Sequence, residues 1–214
     1  MNDSKAIAIF GGSGATGRSL ISQALIRGHR VNALVRKGSN INHQHAQFQC
    51  VVGGFGEAGA VDDVIAGSDA VISVIGARPP YTDSFCAAAT QAMIESMQRQ
   101  KVTRMICQTG AMIGDYEKNW SRLFTWMARS VQKKYSAMMA DRMEQERLII
   151  ESDLDWTIVK PSRLTQGSRK GKLTAGFDLK MRLMSKISRE DLASFLLDQV
   201  TSDTYLRQAV FVRG

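Results

Sequence analysis

The stretch Phe10-Gly11-Gly12-Ser13-Gly14-Ala15-Thr16-Gly17-Arg18 sets glycines at two overlapping spacings: GxxGxxG through Gly11, Gly14 and Gly17, and GxGxxG through Gly12, Gly14 and Gly17. It follows the apolar run Ala6-Phe10 and opens a helical pattern, so the chain turns from strand to helix where its side chains are smallest. Such a turn lets the main chain approach a pyrophosphate closely, while the helix N-terminus offers N–H donors and a partial positive charge. Gly11, Gly12, Ser13, Gly14, Ala15, Thr16 and Gly17 are therefore the candidate ligands of a dinucleotide.

At the end of the next apolar run, where an acid would accept hydrogen bonds from the ribose of NAD, the sequence reads Leu34-Val35-Arg36-Lys37. A carboxylate would repel a 2′-phosphate there, whereas a guanidinium can bind it through paired, charge-assisted hydrogen bonds. Arg36 and Lys37 point to NADP(H), against the alternative of surface charges in a loop. Ile75, Gly76 and Ala77 end a later strand and would pass beneath the cofactor, because ligands of open parallel sheets lie outside the strand carboxyl ends. Thr109 stands at the same edge after the following strand. Its hydroxyl either meets the nicotinamide or substrate, which makes it the candidate catalytic residue, or satisfies its own turn.

A proton donor is harder to find. Short-chain dehydrogenases use a Tyr with a Lys four residues on, but Tyr81, Tyr116, Tyr135 and Tyr205 are followed at that spacing by Phe85, Trp120, Met139 and Ala209. His29, His43 and His45 lie in the first quarter and offer no metal-ligand spacing, so no metal is expected. Two readings tolerate the gap. One is an NADPH-dependent oxidoreductase whose acceptor takes hydride on a conjugated ring and its proton from water, such as a flavin, tetrapyrrole or quinone. The other is a non-catalytic NADP(H) redox sensor.

The elements that must position these residues alternate. Strand-like runs at Ala6-Phe10, Val31-Val35, Phe48-Val52, Ala70-Ile75 and Arg104-Gln108 are separated by helical patterns at Ala15-Arg27, Gly59-Ala66 and Ser84-Arg99. This predicts an α/β fold, a doubly wound parallel sheet of Rossmann type, in one domain spanning 1–214. A long helical region from Trp120 to Glu151 precedes a strand at Trp156-Val159, stopped by Pro161. Residues 155–190 read mainly as substrate-side loops in a small C-terminal extension. Ser188 then caps a helix running to Val200, and Ala209-Val212 is a last strand.

The 214 residues carry a net charge of +8 and 44% hydrophobic content, ordinary for a globular chain. Between Trp156 and Arg189 nine basic residues face one acid, Asp178. That segment is either a solvated basic face or a patch for an anionic cofactor or acceptor. No apolar run is long enough to span a bilayer, and no signal segment precedes Ala6, so a cytoplasmic protein is expected. Nucleic acid is disfavoured as a partner because no aromatic stacking motif accompanies the charge. Cys50, Cys86 and Cys107 read as buried, reduced thiols. The 120–131 helix has one apolar face, through Trp120, Leu123, Phe124, Met127, Ala128 and Val131. It packs on the domain, or serves as an interfacial helix, a lid, or a contact for a second copy or partner.

Taken together, Gly11-Arg18, Ala33-Arg36, Asp69-Ile72, Ser152-Pro161 and Ile187-Ala193 resemble the atypical short-chain dehydrogenases of the NAD(P)H-binding family. That family includes the flavin reductase/biliverdin-IXβ reductase and the NmrA-like proteins, and the resemblance covers nearly the full length. It implies cofactor contacts from the glycine turn, Arg36, Gly76 and Ala77, and nicotinamide-side positions at Thr109 and at Pro161, Ser162 and Arg163. Relatives commonly place an Asp beside the adenine after the third strand. Here the sequence is Gly53-Gly54-Phe55, leaving backbone groups at Gly54 or stacking on Phe55.

Overall fold

The computed structural model describes residues 4–38, 44–57 and 59–214; His43 lies outside them. Short runs of β-branched and small apolar residues form the strands β1 (Ala6–Phe10), β2 (Arg30–Val35), β3 (Phe48–Val52), β4 (Ala70–Ser73), β5 (Arg104–Gln108) and β6 (Asp155–Pro161). Later come β7 (Arg163–Thr165), β8 (Thr174–Gly176), β9 (Lys186–Ser188) and β10 (Gln208–Arg213). The helices are α1 (Ala15–Ile26), α2 (Ala60–Ile65), α3 (Cys86–Gln100), α4 (Arg122–Lys134), α5 (Ser136–Ile150) and α6 (Arg189–Asp198).

Eight strands make one sheet in the order β3-β2-β1-β4-β5-β6-β10-β8, parallel except where β8 runs against β10. This is the doubly wound Rossmann-like order, whose direction of winding reverses between β1 and β4. β7 and β9 form a separate two-stranded parallel sheet beyond the Pro161 end of β6.

Both faces of the sheet are covered, which is why the central strands are apolar at successive positions. On one face α1 and α6 bury Leu20, Ile21, Leu192 and Leu196 against Ile7, Ile9 and Val210. On the other, α2, α3 and α5 bury Val64, Met93 and Ile149 against Ala8, Val71 and Ile158. Each buried Leu, Ile or Val contributes roughly 1.5–3 kcal/mol of transfer free energy. A third cluster packs Trp120, Phe124 and Ala128 against Met181 and Phe211.

Several expectations are refined. The predicted helical region 120–151 is two helices meeting at Tyr135. The strand predicted through Ile75 ends at Ser73, after which the Val74 amide still donates to the Phe10 carbonyl (2.9 Å). Ser188 caps α6 as its sequence implied, accepting from the Asp191 amide (3.0 Å). The thiol reading is corrected at one position: Cys86 and Cys107 are buried, but Cys50 is exposed because β3 is an edge strand with little covering its outer side. Among the described residues no helix is long and apolar enough to cross a membrane.

Candidate cofactor site

A cleft of about 330 Å³ opens where the strands β1 to β4 end, at the point where the winding reverses. The first turn contributes Gly11, Ser13 and Gly14 to its walls, the end of β2 contributes Leu34 and Arg36, and the segment after β3 contributes Gly53, Gly54 and Phe55.

The glycines are required by the geometry. Gly11 has φ +89°, and a Cβ there would fall 2.8 Å from the Val74 carbonyl carbon. At Gly17 a Cβ would lie 2.2 Å from the Gly11 carbonyl oxygen, so α1 packs onto the turn only without a side chain. Gly14 caps α1 with no side-chain acceptor, and no acid stands in the first turn, leaving the helix N-terminus open to an anion. Phe55 stacks on the buried ring of Phe10, with centroids 5.8 Å apart, and presents an aromatic wall to the cleft.

Of the residues singled out in the sequence, Gly11, Ser13, Gly14, Arg36, Gly54, Phe55, Ile75 and Gly76 surround this cleft. Gly12, Ala15, Thr16 and Gly17 shape the turn and first helical turn behind it, Lys37 is an exposed neighbour of Arg36, and Ala77 is half-buried beside Gly76. Thr109, Pro161, Ser162 and Arg163 do not line it. They stand at the ends of β5 and β6, where Thr109 donates its amide to Val159 (2.9 Å). The side-chain oxygens of Thr109 and Ser162 are buried and, among the described residues, make no hydrogen bond. Arg78, Asp83 and Phe85 also line the cleft from the loop between β4 and α3. That aperiodic stretch gave no sign of which side chains would turn inward.

The model of a family described as NAD(P)H-binding matches residues 11–203. The chain belongs to this NAD(P)H-binding family. A curated relative, the uncharacterized protein YwnB of Bacillus subtilis (strain 168), is 28% identical over 202 residues, covering 91% of each chain. Among solved structures, a short-chain dehydrogenase/reductase of Veillonella parvula in complex with NADP superposes with TM-score 0.80 at 16% identity, over 97% of this chain and 94% of that one. ChuY, an anaerobilin reductase of Escherichia coli O157:H7, gives TM-score 0.79 at 20% identity, over 97% and 96%. At these identities the structural likeness speaks for the fold.

In this member of the NAD(P)H-binding family, buried charges on α5 and β6 underlie the far edge of the site. The Arg142 guanidinium, 6% exposed, donates to the Ile75 carbonyl (2.9 Å) and the Gln108 carbonyl (3.1 Å), bracing the end of β4 against that of β5. Asp141 accepts from the Cys86 and Ala87 amides (2.9 and 3.1 Å) and so caps α3 from outside it. Lys160 is fully buried and pairs with Glu146, 4% exposed. Lys160 thereby departs from the rest of the basic stretch 156–189: it points into the core, while Arg163, Lys172 and Lys186 are exposed.

Tyr116 lies beside the same pair, with the Lys160 ammonium 4.3 Å from its ring centroid. Spatially this is a Tyr–Lys neighbourhood that no local spacing revealed. It does not rebuild the missing catalytic pair, since the ammonium meets the ring face. Burial, with the Glu146 carboxylate nearby, pushes the phenol up to about 12, which makes it a weaker acid.

Proposed function

We propose that the chain is an NADPH-dependent reductase that delivers hydride to a planar conjugated acceptor such as a flavin, tetrapyrrole or quinone. The observation that carries this reading is the cleft at the β1/β4 reversal, which combines a glycine turn admitting no Cβ with Arg36 at the end of β2. The amides of the Gly11–Ala15 turn would hold the diphosphate, Arg36 with Lys37 nearby the 2′-phosphate, and Phe55 with Gly54 the adenine side. Thr109 and Ser162, whose side-chain oxygens are buried and make no hydrogen bond among the described residues, would stand beyond the cleft on the nicotinamide side, with Pro161 and Arg163 beside them and Ile75 to Ala77 beneath the cofactor.

When bound, the nicotinamide supplies the hydride. The chain's own contribution is orientation: Arg142 fixes the Ile75 and Gln108 ends of the two strands, so cofactor floor and acceptor edge keep a set spacing. A conjugated acceptor spreads the incoming charge over its ring and draws its proton from water. Exposed cations such as Arg163 would favour an acceptor carrying carboxylates or phosphate.

Steady-state NADPH oxidation with FMN, riboflavin, biliverdin and a water-soluble quinone tests the proposal. At least one acceptor is expected to be reduced in step with NADPH loss. Tight NADPH binding without turnover of any would favour the second reading, an NADP(H) redox sensor, for which the missing Tyr–Lys pair speaks. A further test addresses cofactor choice. Charge-assisted hydrogen bonds contribute about 1.5–3 kcal/mol, so Arg36→Glu is expected to raise the KM for NADPH about 10- to 150-fold and leave that for NADH within a few-fold. An unchanged NADPH KM would remove Arg36 from the 2′-phosphate site.

A further inference from the structure

We propose that the outer face of α4 docks this protein onto an anionic lipid surface. The inner face of the helix is fully used: Phe124 and Ala128 are buried with Trp120 against Met181 and Phe211. Gln132 fastens it further by donating to the Met112 carbonyl (2.9 Å), and just before the helix the Trp120 indole donates to the Ala111 carbonyl (2.8 Å). What faces outward therefore serves no packing role.

That outward face has a particular composition. Trp126 is 71% exposed and Leu123 57% exposed, although both are large apolar side chains. Arg122 precedes Trp126 by four residues, and Arg129 and Lys133 follow it by three and seven; with Thr125 and Ser130 they bound a shallow groove along the helix. Arg129 is paired with Glu117 (2.9 Å), whereas Arg122 and Lys133 form no ion pair among the described residues. The surface continues where the Ser121 amide donates to the Met181 carbonyl (3.0 Å), because the next residues are exposed Arg182, Leu183 and Met184, the last of them 76% exposed.

Cations with free valence around a projecting indole match a bilayer of negative headgroups. Phosphates meet the Arg and Lys heads, while Trp and Leu enter the headgroup boundary, where an amphipathic ring is stable. The competing occupants fit the charge less well. A second copy related by a two-fold axis would set the basic stripe against itself. Nucleic acid would engage the cations but leave Leu123 and Met184 unrewarded. Since α4 also braces the segment after Thr109, docking would hold the proposed acceptor edge near molecules dissolved in the bilayer; only that consequence rests on the reductase reading.

Flotation of the full chain with phosphatidylglycerol/phosphatidylcholine vesicles and with pure phosphatidylcholine vesicles tests the proposal without cofactor or turnover, so its failure would leave the reductase reading untouched. Trp120 and Trp156 are 6% and 7% exposed, so a change in tryptophan emission reports Trp126. The expected result is flotation with the anionic vesicles, a blue shift, and weakening as salt is raised. Neutralising Arg122→Gln with Lys133→Gln should weaken partitioning about 30-fold. Trp126→Ser with Leu123→Ser should abolish the blue shift and weaken partitioning at least about tenfold. All four positions are exposed, and unchanged thermal unfolding would show that the variants fold. No flotation with anionic vesicles would overturn the proposal. So would flotation that these variants leave intact, or a lipid-free dimer that Trp126→Ser dissociates.

Discussion

Glu146→Leu is expected to cost about 3–5 kcal/mol of folding stability, because it leaves the Lys160 ammonium buried without its counter-charge. Lys160 is fully buried and Glu146 is 4% exposed, so water cannot take over the lost partner. At roughly 2–4 °C per kcal/mol for a chain of this size, the melting temperature should fall by about 6–20 °C. The double variant Glu146→Leu with Lys160→Met should recover most of the loss, since replacing both charges by apolar groups removes the desolvation cost of each. Thermal and urea unfolding of the two variants give the answer. A double variant no more stable than the single one would mean that shape, not charge, makes the pair necessary. The close approach of Glu146 to Gly114, where a Cβ would fall 2.9 Å from its Oε2, is where such a shape constraint would act.

The same pair has a pH signature. Burial pulls Lys160 down from the ordinary 10.5 to about 8, although Glu146 pulls the other way. Between those values the unfolded chain holds a proton that the folded chain has released, so this lysine's contribution makes stability rise with pH. Below about 8 both states are protonated and its penalty is fully present; above 10.5 both are neutral and no further change arises. The buried Cys107 thiol and the Tyr116 phenol, both pushed up to about 12, act in the opposite direction in alkali. The signature is therefore read as the stability difference between the wild type and Lys160→Met, which should shift in favour of the wild type from pH 8 to 10.5. A difference that stays flat across that window would show that Lys160 titrates normally.

The second large effect concerns the turn. Gly17→Ala forces a methyl group to within 2.2 Å of the Gly11 carbonyl oxygen and 2.7 Å of the Gly12 Cα, both backbone atoms with no rotamer to move aside. Either α1 tilts away or the turn opens, and the overpacking should cost about 1–3 kcal/mol of stability. Each charge-assisted amide contact that the displaced turn loses is worth about 1.5–3 kcal/mol, so NADPH affinity is expected to fall at least about 100-fold. Gly176→Ala, where an added Cβ meets nothing within 4 Å, is the matched control and should leave both quantities near wild type. Fluorescence titration with NADPH measures the first effect and urea unfolding the second. Near-normal NADPH affinity in Gly17→Ala would separate the turn from cofactor binding.

The legible parts of this chain were those whose cause is local. Gly11, Gly14 and Gly17 declare themselves because strand, tight turn and helix follow one another in sequence, and the same steric demands appear in the fold. The strands from β1 to β6 were legible as apolar runs. That they run parallel was legible because helices alternate with them as crossovers, whereas their order in the sheet shows only in the fold. Boundaries were less secure: the break at Tyr135 sits within an uninterrupted helical pattern and shows only in how α4 and α5 pack.

The buried charges were partly announced. Met139, Arg142, Glu146 and Ile149 recur by three and four along α5, so two charged residues occupy the face that its apolar neighbours bury. That pattern marks a buried polar cluster, but not its partners, because Ile75, Gln108 and Lys160 lie elsewhere in the chain. Lys160 itself read as one more cation in a basic stretch, since its burial depends on the alternation of β6 and on what α5 places over it.

By itself the sequence determined the Rossmann-like architecture, the glycine turn after β1 and the basic residue at the end of β2, all consequences of backbone sterics and short-range periodicity. Only the tertiary structure decided that Arg78, Asp83 and Phe85 join the cleft, that Thr109 and Ser162 stand apart from it, and that Lys160 is buried against Glu146. Those outcomes depend on which distant side chains meet in space, and on whether a charge finds water or a partner.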